Sequence, residues 1–224
     1  MDKINASYSI SFLDIHKTAM LNAFRFYISM QTGKWDVLYD ICKKADDDRG
    51  TASSREEFVE AISVVETIAF PNHDASAMED DVEVARQLMS RIENADKELV
   101  LSTQEARFLC RVTEFFARMR MGQWDNIVYT CIDIRDNAFC EKRDELIPRL
   151  MTCRVMVYPY LRTHYGSSYG VGKFLDADTA WEIYEVVRYR MAWTEHPEGG
   201  STVNFGTPMS FSGQPMMRCE VARI

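Results

Sequence analysis

A glycine- and tyrosine-rich segment at residues 164–173 carries the side chains best suited to hold a ligand. It reads His-Tyr-Gly-Ser-Ser-Tyr-Gly-Val-Gly-Lys. Glycine and serine let backbone N–H groups approach a phosphate or a carboxylate, and tyrosine rings offer stacking faces. We therefore predict ligand-binding roles for Tyr165, Tyr169 and Lys173, the last as a source of positive charge. The alternative is an ordinary interhelical loop that shields a helix end.

Two arginines, Arg188 and Arg190, lie in the last predicted helix, which is apolar on nearly every side and should be central and buried. A guanidinium near a core requires a carboxylate, a carbonyl or a bound anion. Residues 149–190 hold 6 basic and 4 acidic groups, so an anionic ligand would favour this part of the chain. We predict that both arginines bind such a ligand, with internal pairing to Glu182 or Glu185 as the alternative.

Signatures of catalysis are weak. The four histidines are scattered, the six cysteines include no CxxC pair, and no phosphate-binding loop, nucleophile elbow or HExxH motif occurs. We predict no catalytic residue, no cofactor and no metal site, and six reduced thiols. An enzyme acting on nucleotides, with His164 as acid or base, is the weakest alternative.

A motif that occurs twice suggests an internal repeat. The pattern Phe-x3-Met-x2-Gly-x-Trp-Asp surrounds Gly33 and recurs around Gly122, 89 residues later. Phenylalanine and methionine four residues apart share one face of a helix, and glycine ends that helix in the left-handed conformation. The tryptophan is then expected to pack against the turn, so the motif predicts a helix, a tight turn and a second helix in each half.

Apolar periodicity predicts four helices in each half of the chain and almost no strand. The fold class we predict is all-α, a tandem duplication of a four-helix unit with an irregular, partly extended C-terminal arm. Residues 1–98 would form the first repeat, residues 99–194 the second and residues 195–224 the arm, with both repeats in one compact domain. The predicted helices span residues 13–31, 35–45, 54–70, 78–94, 102–121, 124–136, 143–163 and 177–193.

Composition excludes several classes of protein. The chain has 224 residues, 46% of them hydrophobic and 12% aromatic, which is typical of a globular protein rather than a disordered one. The net charge of -8 argues against general binding of nucleic acid. No stretch approaches the roughly 18 apolar residues of a membrane-spanning helix, so we expect a cytoplasmic protein that does not enter a membrane.

Several motifs between residues 102 and 210 resemble uncharacterised proteins encoded by tailed bacteriophages and prophages. They are Phe-x3-Met-x2-Gly-Gln-Trp-Asp around Trp124, Tyr169-Gly170, Arg188-Tyr-Arg-Met-Ala-Trp193, Pro197-Glu-Gly-Gly200 and Asn204-Phe-x2-Pro-Met209. The resemblance implies a viral origin, a compact helical fold and a location in the host cytoplasm. It transfers no catalytic residue.

These features lead to a first hypothesis of a non-enzymatic phage protein. It would counter host antiviral defence by sequestering an anionic nucleotide signal or by occupying a host defence protein. A second hypothesis is an assembly or scaffold protein, a homo-oligomer whose C-terminal arm reaches a neighbouring subunit.

Overall fold

A computed structural model gives the fold of the chain. It describes residues 6–43, 53–70, 79–131, 139–158 and 174–222.

Eight α-helices and three short strands form over these residues. A capping box forms at Ser54 and Glu57: the Ser54 hydroxyl accepts from the Glu57 amide, and the Glu57 carboxylate accepts from the Ser54 amide. In chain order the elements are β1 (Ser7–Ser11), α1 (Asp14–Gln31), α2 (Val37–Lys43), α3 (Arg55–Ala69), α4 (Glu79–Asn94), β2 (Glu98–Ser102), α5 (Thr103–Arg120), α6 (Asn126–Cys131), α7 (Phe139–Val157), α8 (Leu175–Glu195) and β3 (Arg218–Val221).

The strands form one antiparallel sheet in the order β2-β1-β3. The central residue Ile10 pairs with Leu99 on one side and with Cys219 on the other. Successive strand side chains point to opposite faces, so alternate residues of β1 are buried while Ser7, Ser9 and Ser11 are only partly buried. The buried side chains of this sheet are Tyr8, Ile10, Leu101 and Cys219.

The predicted all-α class is therefore wrong. The protein is mostly helical, but it also contains this antiparallel sheet, and two of its strands precede the arm. In the C-terminal arm, which is predicted to be partly extended, a turn of 3-10 helix forms at Val203–Phe205 and a strand forms at Arg218–Val221. Each helix predicted from periodicity is present within the described residues, and the predicted helical residues 44–45, 132–136 and 159–163 lie outside them.

The tandem duplication of a four-helix unit is also not shown. The chain divides into two compact units, and each takes segments from both halves of the sequence. Unit 1 contains residues 1–25, 85–117 and 171–224, and unit 2 contains residues 26–84 and 118–170.

The two glycine turns nevertheless have the same local geometry. Gly33 and Gly122 have φ values of 70° and 80°. The Gly33 amide donates to the Met30 carbonyl at 3.3 Å, and the Gly122 amide donates to the Met119 carbonyl at 3.0 Å. A positive φ with this bond is how a glycine ends a helix, so the predicted turns are confirmed as local structures.

Each turn is covered by its tryptophan, and both tryptophans are fully buried. The indole N–H of Trp35 donates to the Met30 carbonyl at 2.8 Å, and that of Trp124 donates to the Met119 carbonyl at 3.0 Å. A helix end leaves backbone carbonyls without intrahelical donors, and the indole supplies one. Each tryptophan therefore supplies a hydrogen-bond donor to a carbonyl at the helix end while its ring packs in the core.

Candidate functional site

The five residues predicted to bind a ligand fall into two groups. Tyr165, Tyr169 and Lys173 lie outside the described residues. Arg188 and Arg190 lie on α8 in unit 1, where both are partly buried.

Helix α8 is largely buried, as its apolar pattern predicts. The hydropathy of its residues, however, does not predict which of its side chains are buried. Glu182 and Glu185 are only 1% and 7% exposed, while Trp193 is 38% exposed. Burying a carboxylate is costly unless hydrogen bonds compensate for the lost water. The donors that compensate come from the C-terminal arm.

The Glu182 carboxylate attaches the segment 210–212 of the arm to α8. It accepts hydrogen bonds from the Phe211 and Ser212 amides at 2.5 and 2.7 Å, and from the Ser210 and Ser212 hydroxyls at 3.1 and 2.8 Å. These bonds hold the segment 210–212 against α8. The sequence signal for this contact is an acidic residue in the middle of an apolar helix.

Glu185 provides a second attachment one helical turn further along. One carboxylate oxygen accepts from the Met209 amide at 2.9 Å, and the other accepts from the indole N–H of Trp181 at 3.1 Å. Glu182 and Glu185 were the internal partners considered for the two arginines. Their carboxylates instead hold the arm, so the arginines must be explained by other contacts.

Arg190 secures the outer edge of the sheet. Its Nε donates to the carbonyl of Cys219 at 2.8 Å. Because the Ala222 amide donates to the Ser7 carbonyl, alternation along β3 directs the Cys219 carbonyl away from β1. On the opposite edge, Arg91 donates to the carbonyl of Val100 at 2.6 Å. Open strand edges recruit other chains, so each arginine protects one edge.

Arg188 has a different environment. Its guanidinium carbon lies 5.0 Å from the centre of the Tyr184 ring, a cation–π contact, and Nη1 lies 3.5 Å from the Tyr184 hydroxyl. The Nε of Arg188 is buried, and no described residue accepts a hydrogen bond from it. A buried donor without an acceptor costs about 1–3 kcal/mol. Of the two predicted arginines, Arg188 is therefore the one with a buried donor that has no acceptor among the described residues.

The surroundings of Arg188 include groups from α5. Cys110 donates to the Tyr184 carbonyl at a sulfur–oxygen distance of 3.8 Å. Burial raises the pKa of the Cys110 thiol, so this cysteine is a poor nucleophile at neutral pH. Burial also raises the pKa of the Tyr184 phenol, and the Glu114 carboxylate raises it further. The site thus combines a cation with an aromatic face, and the Glu114 carboxylate lies close enough to Tyr184 to raise the pKa of its phenol.

Within the described ranges, no group of three or more histidine, cysteine, aspartate or glutamate side chains is arranged to hold a metal ion. None of the helices in those ranges combines the length and the apolar character needed to cross a bilayer.

Comparison with known proteins adds no assignment. No protein-family model matches the chain, and no curated protein or solved structure is significantly similar to it.

Proposed function

We propose that this protein is a non-enzymatic binding protein that takes an anionic, phosphate-bearing ligand at Arg188. The observation that carries the proposal is the buried Nε of Arg188, which has no acceptor among the described residues, in a guanidinium placed over the ring of Tyr184. A phosphate oxygen would accept from this donor once the groups that cover the buried Nε move aside, and charge-assisted hydrogen bonds of this kind are the strong ones.

The ligand class we favour is a nucleotide. A guanidinium recognises phosphate with a planar set of donors, and aromatic faces such as that of Tyr184 suit a base. The residues Tyr165, Tyr169 and Lys173 remain predicted contributors to the same binding function.

The biological setting is part of the proposal. The resemblance of residues 102–210 to proteins of tailed phages and prophages supports a viral protein of the host cytoplasm. Sequestering a nucleotide signal would there counter antiviral defence, and a host defence protein is the alternative partner. Native mass spectrometry of the protein from infected cells tests this setting, because a co-purified nucleotide supports it and a consistently bare chain contradicts it.

Calorimetric titration with cyclic dinucleotides and adenine dinucleotides tests the site. Arg188→Ala should weaken binding by about 10- to 100-fold, since one charge-assisted hydrogen bond contributes about 1.5–3 kcal/mol. Arg188→Lys should give a smaller loss, because lysine keeps the charge without the planar donor set. Glu114→Gln should tighten binding, because it removes a negative charge that acts on Tyr184, the ring against which Arg188 lies.

The matched control is Arg25→Ala. Arg25 is in the same unit, its side chain is 57% exposed, and it lies 3.8 Å from Glu93. It should leave the affinity unchanged. Wild-type affinity in the folded Arg188→Ala variant, or the absence of binding to every probe by the wild type, would contradict the proposal.

A second candidate function is self-association through the arm. Val203 and Met209 are 72% and 58% exposed on the arm, and exposed apolar side chains favour contacts with another chain. The arm also folds back on its own α8 and β1, so an exchanged arm would repeat these contacts in a second copy. Native mass spectrometry over a concentration series measures subunit number directly, and a monomer at all concentrations would exclude this function.

A further inference from the structure

Glu185 connects the C-terminal arm to the residues of the candidate site. One carboxylate oxygen accepts from the Met209 amide of the arm at 2.9 Å, and the other accepts from the indole N–H of Trp181 at 3.1 Å. The side chain is only 7% exposed, so these two donors replace most of the water that a free carboxylate would bind. The arm therefore fixes one side of the carboxylate that holds Trp181 on its other side.

Trp181 in turn contacts the ring against which Arg188 lies. The centres of the Trp181 and Tyr184 rings are 5.2 Å apart, and the guanidinium carbon of Arg188 lies 5.0 Å from the centre of the Tyr184 ring. Counted from Trp181, the other three residues are at positions i+3, i+4 and i+7 of α8, which share one face of a helix. A continuous series of contacts thus runs from the Met209 amide to the Arg188 guanidinium.

We propose that Glu185 is a positioning residue of the ligand site, and that docking of the arm and binding of the anionic ligand at Arg188 strengthen each other. With the arm docked, Glu185 holds Trp181 against Tyr184, and the Tyr184 ring holds the guanidinium. When the arm leaves, water reaches the carboxylate and these side chains regain rotamers that the ligand must then fix. The inference rests on the proposed function, because it concerns the same site.

The expected size of the effect is that of coupling between two linked sites in a protein, about 5- to 150-fold in affinity. Such coupling is reciprocal. The docked arm should therefore strengthen ligand binding by the same factor by which the bound ligand strengthens docking of the arm.

Replacing Glu185 by glutamine separates positioning from the simple effect of charge. The amide keeps one acceptor oxygen, but its NH2 group would face a donor, so Glu185→Gln breaks one of the two hydrogen bonds. It also removes a negative charge three residues before Arg188, and that change alone would tighten binding of an anion. If Glu185 positions the site, binding should instead weaken by about fivefold or more.

The measurement is calorimetric titration with the cyclic dinucleotide or adenine dinucleotide that the wild type binds most tightly. The matched control is Glu114→Gln, which removes the same charge from α5 and should tighten binding. The two glutamine variants should therefore change the affinity in opposite directions.

A substitution in the arm tests the same contact from its other side. Met209→Pro removes the amide hydrogen that Glu185 accepts and leaves every side chain of the site in place. It should weaken binding within the same 5- to 150-fold range. The matched control is Val203→Pro, because Val203 is 72% exposed and is the first residue of the 3-10 turn, a position that tolerates proline. This control should keep the wild-type affinity.

Amide hydrogen exchange of the wild-type chain tests the reverse direction without any substitution. The Met209, Phe211 and Ser212 amides donate to Glu185 and Glu182, so they exchange when the arm opens. A saturating concentration of the same dinucleotide should slow their exchange by about 5- to 150-fold. The control is the Ala95 amide, which donates to the Arg91 carbonyl at the end of α4 and should exchange at an unchanged rate.

The outcomes separate this inference from the proposed function. If Arg188→Ala weakens binding while Glu185→Gln and Met209→Pro bind as the wild type does, the inference is overturned and the proposed function stands. Tighter binding by Glu185→Gln, or unchanged exchange of the arm amides at saturation, also overturns it. If no probe binds, or if Arg188→Ala keeps the wild-type affinity, the proposed function fails and the inference fails with it. Should Glu185→Gln not fold, Met209→Pro and the exchange of the wild-type chain decide.

Discussion

Replacing Glu182 by alanine should release the segment 210–212 of the C-terminal arm from α8 and destabilise the protein by about 3–5 kcal/mol. The substitution removes one carboxylate that accepts four hydrogen bonds, two from the amides of Phe211 and Ser212 and two from the hydroxyls of Ser210 and Ser212. The carboxylate is 1% exposed, so water does not replace it while the arm stays closed.

The magnitude follows from the two amide bonds. A hydrogen bond to a charged group contributes about 1.5–3 kcal/mol, so two of them contribute about 3–6 kcal/mol. The hydroxyls can rotate toward other acceptors and add little. Removing the carboxylate also removes its own cost of burial, which brings the expected loss to about 3–5 kcal/mol, the usual range for breaking a buried charged network.

Urea denaturation measures the loss in the free energy of unfolding, provided that the variant and the wild type show the same dependence on urea concentration. The control is Glu198→Gln. The Glu198 side chain is 72% exposed, so its replacement should change the free energy of unfolding by under about 0.5 kcal/mol. The loss of stability for Glu182→Gln should fall between the losses for Glu182→Ala and Glu198→Gln, since the amide keeps one acceptor oxygen. A loss below about 1 kcal/mol for Glu182→Ala would refute the reasoning, because the arm would then be held by other contacts.

Three further predictions concern the rest of the fold. Trp124→Ala should lower the free energy of unfolding by about 3–5 kcal/mol in chemical denaturation, because the side chain is fully buried and packs edge-on against Phe58, with 6.0 Å between the ring centres. A loss under about 1 kcal/mol would show that the motif contributes little to stability. Deleting residues 197–224 should keep the helical circular dichroism but lower the thermal midpoint and promote self-association, because it uncovers an edge of β1; an unchanged midpoint and mass in solution would show that the arm is dispensable. Burial raises the pKa of Glu66, which accepts from the Trp35 amide at 2.6 Å, so wild-type stability should fall as the pH rises from about 4.5 through that raised value; Glu66→Gln should remove this component, and an identical pH profile in urea denaturation would contradict the assignment.

The helices and their turns could be predicted because their causes are local. Gly33 and Gly122 each end a helix, and the tryptophan two residues later covers the turn through a carbonyl only five residues before it. Apolar spacing at the helical period similarly marks which segments must bury a face. These contacts involve only about a dozen consecutive residues, so they can be predicted from a short segment of the sequence.

The sheet could not be predicted in the same way. The segment Ser-Tyr-Ser-Ile-Ser alternates at the strand period, but five residues are too few to distinguish a strand from a loop. Its partners are Glu98–Ser102 and Arg218–Val221, about 90 and 210 residues away along the chain. Pairing at that separation depends on where the helices place the strands, which local propensity does not specify.

The candidate site, too, could be predicted only in part. The sequence determined that Arg188 and Arg190 lie on a buried helix and therefore need acceptors, since a guanidinium cannot be left unpaired in a core without cost. It is the tertiary fold that lets Arg190 donate to an edge carbonyl while the Nε of Arg188 is left with no acceptor among the described residues. The tertiary fold also decides that Glu182 holds the arm rather than an arginine, because the folded chain brings amides from nearly thirty residues away within hydrogen-bonding distance of its carboxylate.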